Sequence, residues 1–265
     1  MGLSKRLLQE MQPSEALSKQ IEYGAADIHI HSSVSDGMAN VPDILEAVAR
    51  KGNLDVIAIT DHNEISGSYQ ARELSAKRDY PFEVVLGMEV NTLEGHLLTL
   101  FIESPAPTYQ PLASTIKAVH AQGGLCIVPH PMNWLTDSIS QQNLDKIVSS
   151  SEPDIYLDGI ETFNATVPGR INRRVKMFSL EHDLAETGGS DSHFLATIGS
   201  GLTLFPGRSA EELRRGLLER TTLSRNGTKV RLSDIGLIQI IRQQHRSRGY
   251  FVRGMLKNFT RWLSS

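Results

Sequence analysis

The sequence predicts an α/β fold with a mostly parallel sheet, wound closer to a barrel than to an open sheet. Three observations predict it. Unalternating apolar runs such as Val56-Ile-Ala-Ile59 are of the buried parallel-strand type. Strand-like and helix-like stretches alternate, giving roughly seven units in about 200 residues. Ionisable residues gather where the strands end, on the face where a parallel barrel collects its loops.

The elements follow in order. Two short helices, Leu3 to Met11 and Ser14 to Ile21, form an N-terminal segment (1–24), divided at Pro13. The first strand is Ala26 to His31. A helix from Val41 to Arg50 carries Pro42 in its first turn and ends at Gly52. Asp55 to Thr60 is the second strand, and a polar helix covers Ser68 to Arg78. Strands three and four are Phe82 to Val90 and His96 to Ile102. A helix from Leu112 to Gln122 leads to strand five, Leu125 to Val128. A helix from Gln141 to Ser149 precedes strand six, Tyr156 to Phe163, and another from Arg170 to Glu181 precedes strand seven, Ala185 to Gly188. Gly201 to Phe205 is a further extended piece, followed by a helix from Ala210 to Leu218.

With 40% hydrophobic and 22% charged residues, the 265-residue chain has ample core for one large domain. The net charge of −3 hides an asymmetry. Residues 226–265 carry eight Lys/Arg against one acid, which leaves the body markedly acidic and not an obvious surface for long nucleic acid. Cys126 is the only cysteine, so no internal disulfide forms, and its apolar surroundings place it in the core. The first 25 residues lack the apolar segment of a secretory signal, and no apolar run reaches membrane-spanning length. The expected location is the cytoplasm.

Asp27-Ile-His-Ile-His31 puts two histidines on one face of a strand, with Asp36 in a turn just beyond. Alone, this is as compatible with half-buried polar groups as with a metal pair. The other strand ends shift the balance. Thr60-Asp61-His62 ends strand two, Glu89 ends strand three, His130 ends strand five and Asp191-Ser-His193 follows strand seven. His96 starts strand four and reaches the same face if that strand runs antiparallel. Six of the nine histidines thus converge; His120, His182 and His245 lie in predicted helices as packing or surface groups. Six histidines with Asp36, Glu89 and Asp191 exceed what one ion needs, whereas two or three ions sharing a carboxylate would use them. Imidazole and carboxylate without thiolate suit Mn, Zn or Fe.

His29-Ile-His31, Ser35-Asp36-Gly37, Thr60-Asp61-His62, Gly87-x-Glu89, Pro129-His130-Pro131 and Gly189-Ser-Asp191-Ser-His193 resemble, in order, the PHP (polymerase and histidinol phosphatase) family over residues 25–225. The resemblance implies a distorted seven-stranded (β/α) barrel, a cluster of two or three divalent ions and phosphoester hydrolysis. By resemblance, His29, His31, Glu89 and Asp191 hold one ion, and Glu89 bridges to a second held by His130 and His96. Asp36, His62 and His193 hold a third or complete the site. Such ions lower the pKa of a water so that hydroxide attacks phosphorus. His62, His193 and Asp191 are the candidate catalytic residues, the two histidines as proton donors to the leaving group. Arg170, after strand six, is the candidate phosphate ligand, with Asn164 beside it. Asp61 either orients an imidazole or is a plain strand-end polar residue.

The expected substrate is a small phosphomonoester or phosphodiester. A short oligonucleotide trimmed by a nuclease is the alternative, as is a non-catalytic PHP scaffold. Beyond residue 230, Val252, Met255, Leu256, Phe259, Trp262 and Leu263 recur at helical spacing with Arg253, Lys257 and Arg261 on another face. This reads as a basic amphipathic tail (226–265), separated from a helix at Ile235 to Ile241 by a hinge at Arg246 to Gly249. It either packs on the barrel or a second subunit, or makes peripheral contact with an anionic membrane or a polyanion.

Overall fold

The structure is a computed structural model, in which residues 22–134 and 136–263 are described. The helices read before residue 22 lie outside the described residues. Strand β1 (Tyr23–Ile30) is followed by helix α1 (Val41–Lys51), β2 (Val56–Ile59), α2 (Ser66–Arg78), β3 (Glu83–Asn91) and β4 (His96–Leu100). Then come α3 (Leu112–His120), β5 (Leu125–Val128), α4 (Gln141–Val148), β6 (Gly159–Asn164), α5 (Gly169–Glu181) and β7 (Ala185–Gly189). The described chain ends with β8 (Gly201–Pro206), α6 (Ala210–Leu218), β9 (Leu223–Asn226), α7 (Leu232–Ile235) and α8 (Leu237–Leu263).

The nine strands form one sheet in the order β7-β6-β5-β4-β3-β2-β1-β8-β9. Its ends meet: Thr203 Oγ1 on β8 accepts from Gly188 N on β7 at 3.0 Å, and Thr162 Oγ1 on β6 donates to Ser224 Oγ on β9 at 2.7 Å. The sheet is therefore a nearly closed barrel. Two expectations change. The strand count is nine rather than seven, because the extended piece after residue 200 pairs antiparallel with β1 and recruits β9. Nor is the sheet mostly parallel: β4 and β8 each run antiparallel to both neighbours.

Local signals fix the helices. Asn40 Oδ1 accepts from Asp43 N to start α1, and Gly52, in the left-handed region at φ 59°, ends it. Ser209 and Glu212 form a capping box on α6.

Strand alternation sorts the core. Val56, Ala58, Val85, Leu98, Leu100, Leu125, Ile127 and Ala185 fill the barrel, plugged by Phe205, Leu213 and Leu217. Their neighbours Met88, Val90, Leu97, Cys126, Val128 and Ile160 meet an outer layer under α3, α4 and α5. On β1 the phase changes. Asp27 pairs with Ile57 but Ile30 with Ile59, so β1 carries a bulge of one extra residue. Ala26 and Ile28 lie in the barrel, whereas Ile30 packs outside with Ile44, Leu45 and Val48 of α1. The bulge turns His29 and His31 inward. A second shift, between Glu161 and Phe163 on β6, does the same for Asn164 after Glu161.

The tail differs from expectation in being one continuous helix, α8, through the anticipated hinge at residues 246–249. Glycine there weakens a helix by about 1 kcal/mol without breaking it. Leu237, Ile238, Ile241 and Val252 are exposed on it. No helix among the described residues is long and apolar enough to cross a membrane.

Candidate metal centre

Strand ends deliver the site. Because β4 runs antiparallel, His96 at its start shares a face with Asn91 and Glu89 at the end of β3. The β1–α1 loop brings Asp36, and the loop after β7 brings Asp191 and His193. Glu89 is the hub. Its Oε2 lies 3.4 Å from His29 Nε2, 3.3 Å from His31 Nε2 and 3.2 Å from His62 Nδ1. Its Oε1 lies 2.9 Å from His96 Nδ1 and 3.1 Å from His130 Nε2. Asp191 Oδ1 approaches His29 and His31 at 3.6 and 3.4 Å, and Asp36 Oδ2 lies 3.2 Å from His193 Nε2. All nine predicted residues are thus brought together.

Chemistry supports a metal fit. Buried His29 Nε2, both His31 nitrogens and Glu89 Oε2 face this centre without a hydrogen-bond partner. Orphaned buried polar atoms are costly unless something binds them. At this centre four groups have donor atoms close enough to share an ion: His31, Asp36, His62 and His193; His29, His130 and Asp191; His29, His31 and Glu89; and His62, Glu89 and His96. The positions of His130 (φ 30°) and Asp191 (φ 50°) in the left-handed region show local backbone strain at the same place.

The charge pattern fits as well. Burial opposes ionisation of Glu89, Asp191 and Asp36, yet the surrounding imidazoles hold all three well below the usual carboxylate range. Burial opposes charging of His193, but Asp36 and Asp191 outweigh it and raise its pKa to about 9. Burial pushes His62 down to about 3, with help from His31 and His96. A cation in the centre would replace the protons shared among these groups.

A supporting carboxylate, Glu161, escaped the sequence reading. Fully buried in the middle of β6, it lies 2.9 Å from His29 Nδ1 through Oε1. Its Oε2 accepts from His130 N at 2.8 Å and from Asn164 Nδ2 at 2.9 Å. This is how a protein fixes the tautomer of a ligating imidazole. A charged residue between Ile160 and Thr162 in an apolar strand was the available signal. Asp61 takes neither role expected of it. Its carboxylate accepts from the backbone and hydroxyl groups of Ser32 and Ser35, at 2.6 to 3.3 Å, and so shapes the loop that carries Asp36.

The substrate-side expectations fare differently. Asn164 is buried, with its amide nitrogen on Glu161 and its oxygen accepting from Thr166 N and Oγ1. Its polar atoms serve the framework rather than a ligand. Arg170 is exposed on the first turn of α5 and lines neither cavity at the site. His120, expected to be packing or surface, bonds Asp158 at 3.0 Å away from the centre.

One cavity, ≈ 400 Å³, opens directly on the cluster and is bounded by Gln243, Gln244 and Ser247 of α8. The same helix reaches two of the ligand-bearing loops, those after β1 and β2: the Tyr250 hydroxyl donates to His62 O, and the Arg246 guanidinium to Ser33 O. A larger cavity, ≈ 920 Å³, shares Asp191 and His193 with the first and is lined by Lys229 and Arg231. These two cations were read only as part of a basic tail.

A nearly closed α/β barrel with imidazoles and carboxylates gathered at one mouth defines the class of metal-binding barrel proteins. More particularly, the chain belongs to the PHP family: the PHP domain model matches residues 27–186 and a PHP-associated model residues 169–222. An uncharacterized protein of Methanocaldococcus jannaschii is 35% identical over 53% of this chain and 81% of its own length. A phosphoribosyl 1,2-cyclic phosphate 1,2-diphosphodiesterase of Eggerthella lenta is 34% identical over 36% of this chain and 38% of its own. A 3',5'-nucleoside bisphosphate phosphatase of Chromobacterium violaceum is 30% identical over 35% and 32%. Among solved structures, a two-domain Bacteroides vulgatus protein described as containing a predicted PHP-like metal-dependent phosphoesterase aligns with TM-score 0.64 at 19% identity. That alignment covers 78% of this chain and 65% of the other, and shows the fold.

Proposed function

We propose that this chain is a metal-dependent hydrolase that cleaves the phosphoester bond of a small phosphomonoester or phosphodiester. The observation that carries the reading is the convergence of five imidazoles on Glu89, with Asp191, Asp36 and His193 beside them, at the floor of an open cavity. His29, His31, Glu89 and Asp191 would hold one ion, with His96 and His130 sharing Glu89 for a second and Asp36, His62 and His193 for a third. Bound divalent ions such as Mn, Zn or Fe supply Lewis acidity toward phosphoryl oxygens and make a water nucleophilic near neutral pH.

The chain's own residues do the rest. Glu161 holds the His29 ring and the His130 backbone, so the imidazoles stay aimed at the centre. Asp191 and His193 line both cavities, and the reacting bond would lie at their junction. His193 keeps Nδ1 on Asp191 O at 3.0 Å and presents Nε2 beside Asp36. With two ions bound and Asp36, His62 and His193 left unligated, it would be the better proton donor to a leaving oxygen, since burial holds His62 neutral.

The support from relatives is their printed activities, a cyclic-phosphate diphosphodiesterase and a bisphosphate phosphatase. A second reading, trimming of a short oligonucleotide, draws on the exposed Arg242 and Arg248 of α8 and on partial similarity to a 5'-3' exoribonuclease of Haemophilus influenzae. The test is a screen of phosphomonoesters, nucleotides, cyclic phosphates and short oligonucleotides, with Asp191→Ala as control. Purified protein should carry two or more ions per chain; metal-free protein that takes up none on loading would sink the proposal.

A further inference from the structure

Half of the residues that line the cavity beside the metal centre, Asn226 to Gln244, belong to a segment that the family models do not reach, since their matches end at residue 222. At ≈ 920 Å³ it is far larger than inorganic phosphate needs and has the size of a small-molecule site. Phe163 and Phe194 supply aromatic surface, and Lys229 and Arg231 supply positive charge. Neither cation makes an ion pair among the described residues, although Lys77, Lys117, Lys176, Arg72, Arg78, Arg208, Arg215 and Arg220 all do. Asp191, at the metal-centre side, is the only carboxylate in the lining. Two unpaired cations in a ligand-sized cavity that otherwise carries one committed acid select for an anion.

We propose that residues 226–244 build a subsite for a second anionic group on the phosphorylated substrate, bound by Lys229 and Arg231, with the organic body against Phe163 and Phe194. This rests on the hydrolase reading for what sits at Asp191 and His193. The substrate class is a small organic phosphate bearing another phosphate or carboxylate.

The test is titration calorimetry on metal-loaded protein with butyl phosphate and with straight-chain α,ω-diol bisphosphates of three to six carbons. Wild type should bind at least one bisphosphate about ten-fold more tightly than butyl phosphate, the gain expected of two partly exposed charge contacts. Lys229→Ala/Arg231→Ala should lose that preference and keep its affinity for butyl phosphate, while Lys229→Arg keeps both. Both positions are exposed, so folding is not at stake, and far-ultraviolet dichroism verifies it. No preference in wild type, or one that survives in the double variant, overturns the subsite. Hydrolysis of the same compounds is scored separately. Preference with no turnover of these compounds or of any in the screen above upholds the subsite and sinks the hydrolase reading; turnover without preference does the reverse.

Discussion

Glu161→Gln should weaken the metal centre without touching any proposed ligand. The carboxylate receives three contacts: His29 Nδ1 on one oxygen, and His130 N with Asn164 Nδ2 on the other. A glutamine oxygen can keep His29, but its amide nitrogen then faces two N–H donors. Asn164 cannot answer by turning over, because its oxygen already accepts from Thr166. Each buried donor left without an acceptor costs about 1–3 kcal/mol, and relief of a buried charge offsets part of it. A net loss of about 3 kcal/mol lowers Tm by roughly 6–12 °C in a domain this size. Loosening a supporting carboxylate typically weakens metal affinity about 10- to 100-fold. Chelator competition measures the affinity and calorimetry the Tm. Glu186→Gln is the control, a carboxylate on the neighbouring strand that bonds Thr162 and Lys176 away from the centre. Metal affinity within two-fold of wild type in Glu161→Gln would refute the reasoning.

Other expectations follow from the same geometry. Gly189→Ala puts a Cβ 2.0 Å from Glu161 Oε1 and 2.9 Å from His29 Cβ, so soluble yield and Tm should drop, with overpacking costing about 1–3 kcal/mol or more. Asp61→Ala frees the Ser32–Ser35 loop; ion counting by mass spectrometry should show the Asp36 group emptied first, and full stoichiometry would count against that role. Added Mn or Zn should raise Tm progressively with concentration, and Asp191→Ala should blunt the rise. Metal-free protein should lose stability with rising pH. His193 is raised from 6.5 to about 9, so its contribution is complete below pH 6.5 and vanishes as pH climbs through 9, at most about 3 kcal/mol. Urea midpoints at pH 6 and 9.5 should differ in chelated wild type and much less in His193→Asn.

The nine donor residues were legible because strand phase and strand ends are written in the residue pattern. Glu89 alternates with Met88 and Val90, His130 follows an apolar run, and Asp191 follows the glycines that end β7, at the points where the barrel mouth must be. The polarity of β4 was less so, since a short strand reads alike in either direction; the antiparallel register is what brings His96 to the same mouth. Strand β9 was missed because Leu-Ser-Arg-Asn is polar and mostly exposed, and pairs only because β8 offers an edge. Arg170 misled because chain position says which end of the barrel a residue occupies, not whether its side chain turns inward. Glu161 was overlooked because one acid within an apolar strand resembles noise until its partners, 132 and 31 positions away, come into contact.

The bulge on β1 carries a consequence for how this chain can vary. A single residue there decides which of two interleaved sets of side chains looks into the barrel. Were β1 to run as a regular strand with that residue absorbed, every amino acid would keep its number yet Ile30 and His31 would exchange addresses, sending an isoleucine toward the centre and a histidine beneath α1. Length at that one point is therefore a coding character in its own right.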